Sequence, residues 1–261
     1  MIDSHCHIDL PAFDRDRDEV IQSSIKKGVS RILVPGLGLV QTRQLLPLKH
    51  QYPMLDIAAG FHPYFLKEIP YDAWQRELNQ MNKWLEIHHQ SIVAIGEFGL
   101  DATLSLDMAF QEQVFRDQLS LAKQYRKPVV LHHRKSHNDI IRIIKQEKFI
   151  NGGVIHAFSG SVQTAQTYID LGFRLGIGGT ITYPRGQKTR NTLAHLSTSN
   201  MLLETDAPDM PLYGKQGMRN SPERLPLIAQ ALAKVKDTSV DEIIAQTTQN
   251  YLSLFSVNSP V

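Results

Sequence analysis

The chain has 261 residues, 42% of them hydrophobic and 21% charged, which describes a soluble globular protein. Its apolar runs are far too short to cross a bilayer, and a single cysteine, Cys6, excludes an internal disulfide and fits a reducing compartment. A net charge of +2 neither demands a nucleic-acid partner nor rules one out, since a local basic patch suffices.

The first expected strand, residues 2–6, leads into His5 and His7. Two apart on an extended segment, both histidines point to one side and Cys6 to the other, as a packing residue. Asp3 shares their side and is placed to hydrogen-bond a ligand histidine. The start Met1-Ile2-Asp3-Ser4-His5 lacks the basic region and apolar core of an export signal, so a cytoplasmic location is expected. Val20, Ile21 and Ile25 recur at helical spacing. Strands at 31–35 and 55–60 follow, the latter running into Gly60-Phe61-His62-Pro63. The fourth, 92–96, ends at Glu97 within Gly96-Glu97-Phe98-Gly99-Leu100-Asp101. A carboxylate there is costly unless a cation or hydrogen-bond donors meet it. Its two oxygens suit it to bridge two metals; a helix cap or salt bridge is the plainer reading of Glu97 alone.

A helix marked by Phe110, Val114, Leu119 and Leu121 precedes the strand 128–131, which delivers His132 and His133. Neighbours in a strand face opposite sides, and the parity of Val129-Val130-Leu131 does not settle which histidine faces inward. Arg134, two residues past His132, stands where it can reach a substrate phosphate. Ile140-Ile141 with Ile143-Ile144 mark the next helix, and the strand 153–156 ends at His156 in His156-Ala157-Phe158-Ser159-Gly160. The strand 173–177 is followed by Gly178-Gly179-Thr180 and the cations Arg185, Lys188 and Arg190. The eighth, 201–204, precedes Asp206, with Lys215 and Arg219 beyond. A helix at 222–235 and an extra one at 237–255 close the chain. His50, His88, His89, His137 and His195 lie away from strand ends and read as surface or packing residues.

Strand–helix alternation implies parallel strands with right-handed crossovers, and eight repeats favour a TIM-type (β/α)8 barrel with an additional C-terminal helix. No linker or charge block divides the chain, so residues 1–261 read as a single domain. A doubly wound sheet is the rival, but Gly36-x-Gly38 lacks the third glycine of a dinucleotide fingerprint, Gln41 standing there. In a barrel the C-terminal strand ends meet at one face, gathering imidazoles and carboxylates into a set that suits a two-metal hydrolytic centre.

At these residues the chain resembles the TatD family of metal-dependent deoxyribonucleases, within the amidohydrolase-like barrels. The match runs almost end to end: D-x-H-x-H from Asp3, G-x-H-P from Gly60, G-E-x-G-L-D from Gly96, H-x-R from His132, H-x-F-S-G from His156, E-T-D-A-P from Glu204, R-N-x-P from Arg219 and T-x-x-N-x-x-x-L-F from Thr247. The resemblance implies one divalent ion on His5, His7 and Asp206, a second on His132 and His156, and Glu97 bridging. It also implies a substrate contact at His62. Departures fall at the mouth of the site: Ala102-Thr103 replace a frequent aromatic pair, His133 a small residue, and Tyr64 a second histidine.

The expected activity is phosphodiester hydrolysis of DNA, as a 3′–5′ exonuclease on single-stranded ends, by a two-metal-activated water with Asp206 as base. Arg185 and Arg219 are expected phosphate contacts, because the loops after strands seven and eight of barrels often bind phosphate. Tyr183 and Tyr213 are the nearby aromatics for base stacking. Four imidazoles favour Zn²⁺ or Mn²⁺ over Mg²⁺ on ligand softness, although relatives are often assayed with Mg²⁺. The rival reading is a deacylase or lactonase on a small carbonyl substrate, using the same centre. No feature points to a membrane or an obligate protein partner.

Overall fold

The computed structural model describes residues 1–257. Its strands are β1 (Ile2–Asp3), β2 (Arg31–Val34), β3 (Leu55–Ala59), β4 (Ala94–Asp101), β5 (Val129–Arg134), β6 (Gly153–Ile155), β7 (Phe173–Ile177) and β8 (Met201–Leu203). Each is followed by a helix: α1 (Arg17–Lys26), α2 (Leu39–Gln51), α3 (Trp74–His88), α4 (Met108–Gln124), α5 (His137–Gln146), α6 (Val162–Asp170), α7 (Gln187–Ala194) and α8 (Leu225–Lys236), with α9 (Val240–Phe255) added at the end. The strands stand in chain order in one sheet with parallel registers. This is the (β/α)8 barrel expected from the sequence, C-terminal helix included. Among the described residues no helix is long and apolar enough to cross a membrane.

The chain divides into two compact units, Met1–Val34 with His156–Val261, and Pro35–Ile155. In the first, β8 pairs with β7, and its end bonds to the opening segment of the chain. Ser4 N–H donates to Leu203 O at 2.9 Å, His7 N–H to Ala207 O at 2.8 Å, and Asp206 N–H to His5 O at 2.9 Å. The last strand thus adjoins the first, and β2 lies on the other side of β1. Regular strand ends at Asp3, not at Cys6 as expected. His5 and His7 lie beyond the regular strand, on a segment bonded to the stretch after β8 and, through Cys6 N–H to Leu33 O at 3.0 Å, to β2. Asp237 adopts a left-handed φ of 49° that stops α8, and Ser239 with Glu242 forms a capping box that starts α9, three residues later than the sequence suggested.

In the second unit β4 and β5 are longer than expected. Burial is continuous from Ala94 to Asp101, and the register slips between Gly96 and Phe98, leaving Glu97 as the extra residue of a β-bulge. A bulge re-aims a side chain and is common beside active sites. The strands approach so closely beyond it that a Cβ on Gly99 would lie 1.9 Å from His132 O. Only glycine permits that pairing, which fixes His132 against β4.

Candidate metal-binding sites

In the unit containing both termini, His5 and His7 present their Nε2 atoms 3.2 Å apart. Asp206 Oδ1 is 3.7 Å from each. Three ligand atoms held at about 2.1 Å by one tetrahedral ion would lie roughly 3.4 Å apart, so the triangle fits a shared cation. Asp206 offers its other oxygen, Oδ2, to His156 Nε2 at 3.5 Å. The His156 ring stacks on His5 at 3.6 Å between centroids. Asp206 and Ala157, just past β8 and β6, both have left-handed φ, 58° and 46°. Non-glycine residues adopt that conformation at a cost of order 1–3 kcal/mol, and it gathers at functional sites.

Behind His156 stands Glu204, fully buried. Its Oε1 lies 2.9 Å from His156 Nδ1 and accepts a hydrogen bond from Ala157 N–H at 2.6 Å. Gly176 makes the space: a Cβ there would sit 2.1 Å from Glu204 Oε2. Burial works against charge on His156, but Glu204 and Asp206 hold its imidazolium together well above the ordinary histidine value. Burial likewise opposes charge on Asp206, yet His156, then His5 and His7, draw its carboxyl below the usual range.

In the other unit Glu97, 2% exposed, is the centre. Its Oε1 lies 3.2 Å from His132 Nδ1 and 3.5 Å from His62 Nε2. His132 Nε2 faces Asp101 Oδ2 at 3.3 Å. Thr103 donates to Asp101 Oδ1 through both N–H (2.8 Å) and Oγ1–H (2.6 Å). Partial burial pushes that carboxyl up, but His132 and Thr103 outweigh it and hold it well below the usual range. Parity along β5 is now decided. His132 turns to Glu97, while His133 stacks on His137 at 4.1 Å. His62 Nδ1 accepts from Tyr64 N–H at 3.1 Å, so the neutral ring carries its proton on Nε2 and is a donor toward Glu97.

Each unit therefore holds a histidine with one ring nitrogen on a buried carboxylate and the other on an acidic ligand candidate: His156 between Glu204 and Asp206, His132 between Asp101 and Glu97. Metal-bound histidines are oriented in this way. Neither Asp101 nor Glu204 was singled out from sequence, although both stand in quoted motifs; the available signal was a carboxylate at the end of a buried strand. Asp3 differs from expectation. Its Oδ1 accepts from His5 N–H (3.2 Å) and Thr205 N–H (3.0 Å), and Oδ2 from Thr205 Oγ1–H (2.6 Å), so it fixes the backbone and not a ring.

Desolvation raises the Asp3 carboxyl to about 7. The folded value thus exceeds the unfolded one, and the stabilisation from the bound proton is complete below about pH 4 and is lost as pH rises through about 7. A rise of that size corresponds to about 4 kcal/mol. The difference in Tm between metal-stripped wild type and Asp3→Asn is expected to move in the variant's favour from pH 4 to 8. Parallel profiles would mean that Asp3 does not titrate there.

Among the expected substrate contacts, Arg134 and Arg185 are exposed, Arg185 lying 4.9 Å over the Tyr183 ring. Arg219 does not fit that role. Its guanidinium grips Asp16 with two bonds of 2.8 and 2.6 Å, donates to Ala12 O at 2.6 Å, and packs on Phe13. A bidentate pair of this kind leaves the fork already used. Arg190 is likewise spent on the carbonyls of Ile181, Tyr183 and Pro184, where it shapes the loop.

A family model for TatD related DNase matches residues 2–256. The uncharacterized metal-dependent hydrolase YjjV of Escherichia coli K12 is 39% identical over 98% of both chains. Its crystal structure, that of a TatD homolog, superposes with a TM-score of 0.93 over 99% of this chain and 98% of that one. The uncharacterized metal-dependent hydrolase YabD of Bacillus subtilis is 30% identical over 99% of this chain and all of its own length. A TatD family hydrolase from Entamoeba histolytica, 20% identical, shares the fold at a TM-score of 0.83 over 97% of each chain.

Proposed function

We propose that this chain, which belongs to the TatD related DNase family, is a metal-dependent hydrolase that cleaves phosphodiester bonds of DNA, working 3′–5′ on single-stranded ends. The observation that carries this reading is the repeated carboxylate–histidine–carboxylate arrangement, once at His156 and once at His132. It is costly to bury and fits divalent cations. His5, His7, His156 and Asp206 in one unit, and Glu97 and His132 in the other, are the residues that would hold them. Bound there, the cations would supply Lewis-acid polarisation of the phosphoryl group and acidify the attacking water.

The chain's own groups do the rest. Asp206 takes the proton of the attacking water. Glu204 and Asp101 hold the His156 and His132 rings in register. His62 donates from Nε2 to a non-bridging phosphoryl oxygen, while Arg134 and Arg185 meet neighbouring phosphates. A cytoplasmic location and the absence of an obligate protein partner accompany the reading.

The test is hydrolysis by metal-stripped protein re-supplied with Mg²⁺, Mn²⁺ or Zn²⁺, on a labelled single-stranded DNA and a small phosphodiester. Metal-dependent shortening from the 3′ end is expected. Metal-loaded protein that leaves both phosphodiesters intact but opens lactones or small amides would move the assignment to a carbonyl hydrolase.

A further inference from the structure

A groove of about 600 Å³ runs in the unit containing both termini, between the loop after β7 and helices α7 and α8. Ala194, Leu227 and Ala231 line it together with Asn191, Tyr213 and Lys234. Tyr213 is 56% exposed. Its position is nonetheless fixed: its N–H donates to Thr182 Oγ1 at 2.9 Å, and its ring meets Tyr183 edge-on at 5.8 Å. The Tyr183 hydroxyl is anchored in turn on Pro211 O. The two loops are thus stitched into a rigid aromatic ledge.

Charge is distributed one way along it. Among the described residues no aspartate or glutamate lines the groove, whereas Arg190 and Lys234 do. Arg185, Lys188, Lys215 and Lys234 are exposed. The groove also begins near the chemistry. Gly178 abuts the Glu204 side chain, and the four residues on to Thr182 span at most about 14 Å.

We propose that this groove holds the part of a single-stranded nucleic acid that trails away from the scissile bond, with Tyr213 stacking a base and Lys234 meeting a phosphate. Aromatic platforms with cationic rims bind single strands in this way. The nuclease reading above supplies only the identity of the occupant.

The test measures binding of hydrolysis-resistant phosphorothioate oligothymidines of two, four and eight residues to the metal-loaded protein. Affinity is expected to rise with length. Tyr213→Ala should weaken the eight-mer about tenfold, and Tyr213→Trp should restore it. Lys234→Gln should make the slope of log K against log salt shallower by about 0.7. Affinity independent of length, variants that match wild type, or equal binding of polyglutamate would each overturn the proposal. Length-dependent binding of these probes by metal-loaded protein that leaves unmodified single-stranded DNA intact would support the groove and count against the nuclease reading.

Discussion

Replacing Asp206 by asparagine is expected to cut kcat for the DNA substrate by about a thousandfold or more, a size typical of losing a positioned base. The substitution keeps the shape and the backbone N–H bond to His5 O, so circular dichroism should be unchanged. What it removes is charge. Asp206 offers Oδ1 to both His5 and His7 and Oδ2 to His156. An amide nitrogen at either position turns a donor hydrogen toward a ring nitrogen that must present a lone pair to a cation. Metal content, measured directly on the purified variant, should therefore fall along with rate. A variant that keeps full metal and loses rate would limit Asp206 to proton transfer. One that keeps both would remove it from the centre.

How far the site could be read from the amino-acid sequence depended on what placed each side chain. His5, His7, Glu97, His132, His156 and Asp206 follow apolar strand cores, and burial makes such runs conspicuous. The devices that aim them are quieter. The bulge at Glu97 is a register slip between β4 and β5, a relation between two strands that neither one announces. Gly99 and Gly176 act through the space they leave: one lets β5 come close beside His132 and the other opens room for Glu204. Asp101 and Glu204 were hidden because their partners are remote in sequence, His132 31 residues on in one case and Ala157 47 residues back in the other. The Arg219 pairing is out of reach for the same reason: its partner Asp16 is 203 residues away. Periodicity reports a residue's own element, and it does not report who stands opposite.

Glu204→Gln is the change that separates orientation of a ligand from chemistry at the substrate. In metal-free protein the buried pair Glu204 and Asp206 holds His156 protonated well above the ordinary histidine value. By linkage this pair stabilises the metal-free fold below the unfolded histidine value, near 6.5, and that contribution is lost as pH rises through the raised folded value. A cation binding through His156 must expel the proton, so metal affinity rises with pH across the same window. Glutamine keeps an oxygen for Ala157 N–H but loses the charge that steadies Nδ1–H and makes the ring a better ligand. At a pH above that raised value affinity is expected to fall about 10- to 100-fold, the usual effect of removing a carboxylate behind a metal-bound histidine. As pH falls toward 6, wild type loses affinity to its own tightly held proton while the variant has less proton to expel, so the two curves converge. A merely structural role predicts parallel curves instead. Titration of stripped protein with Zn²⁺ at several pH values, counting protons released, reads the difference without any assay of hydrolysis.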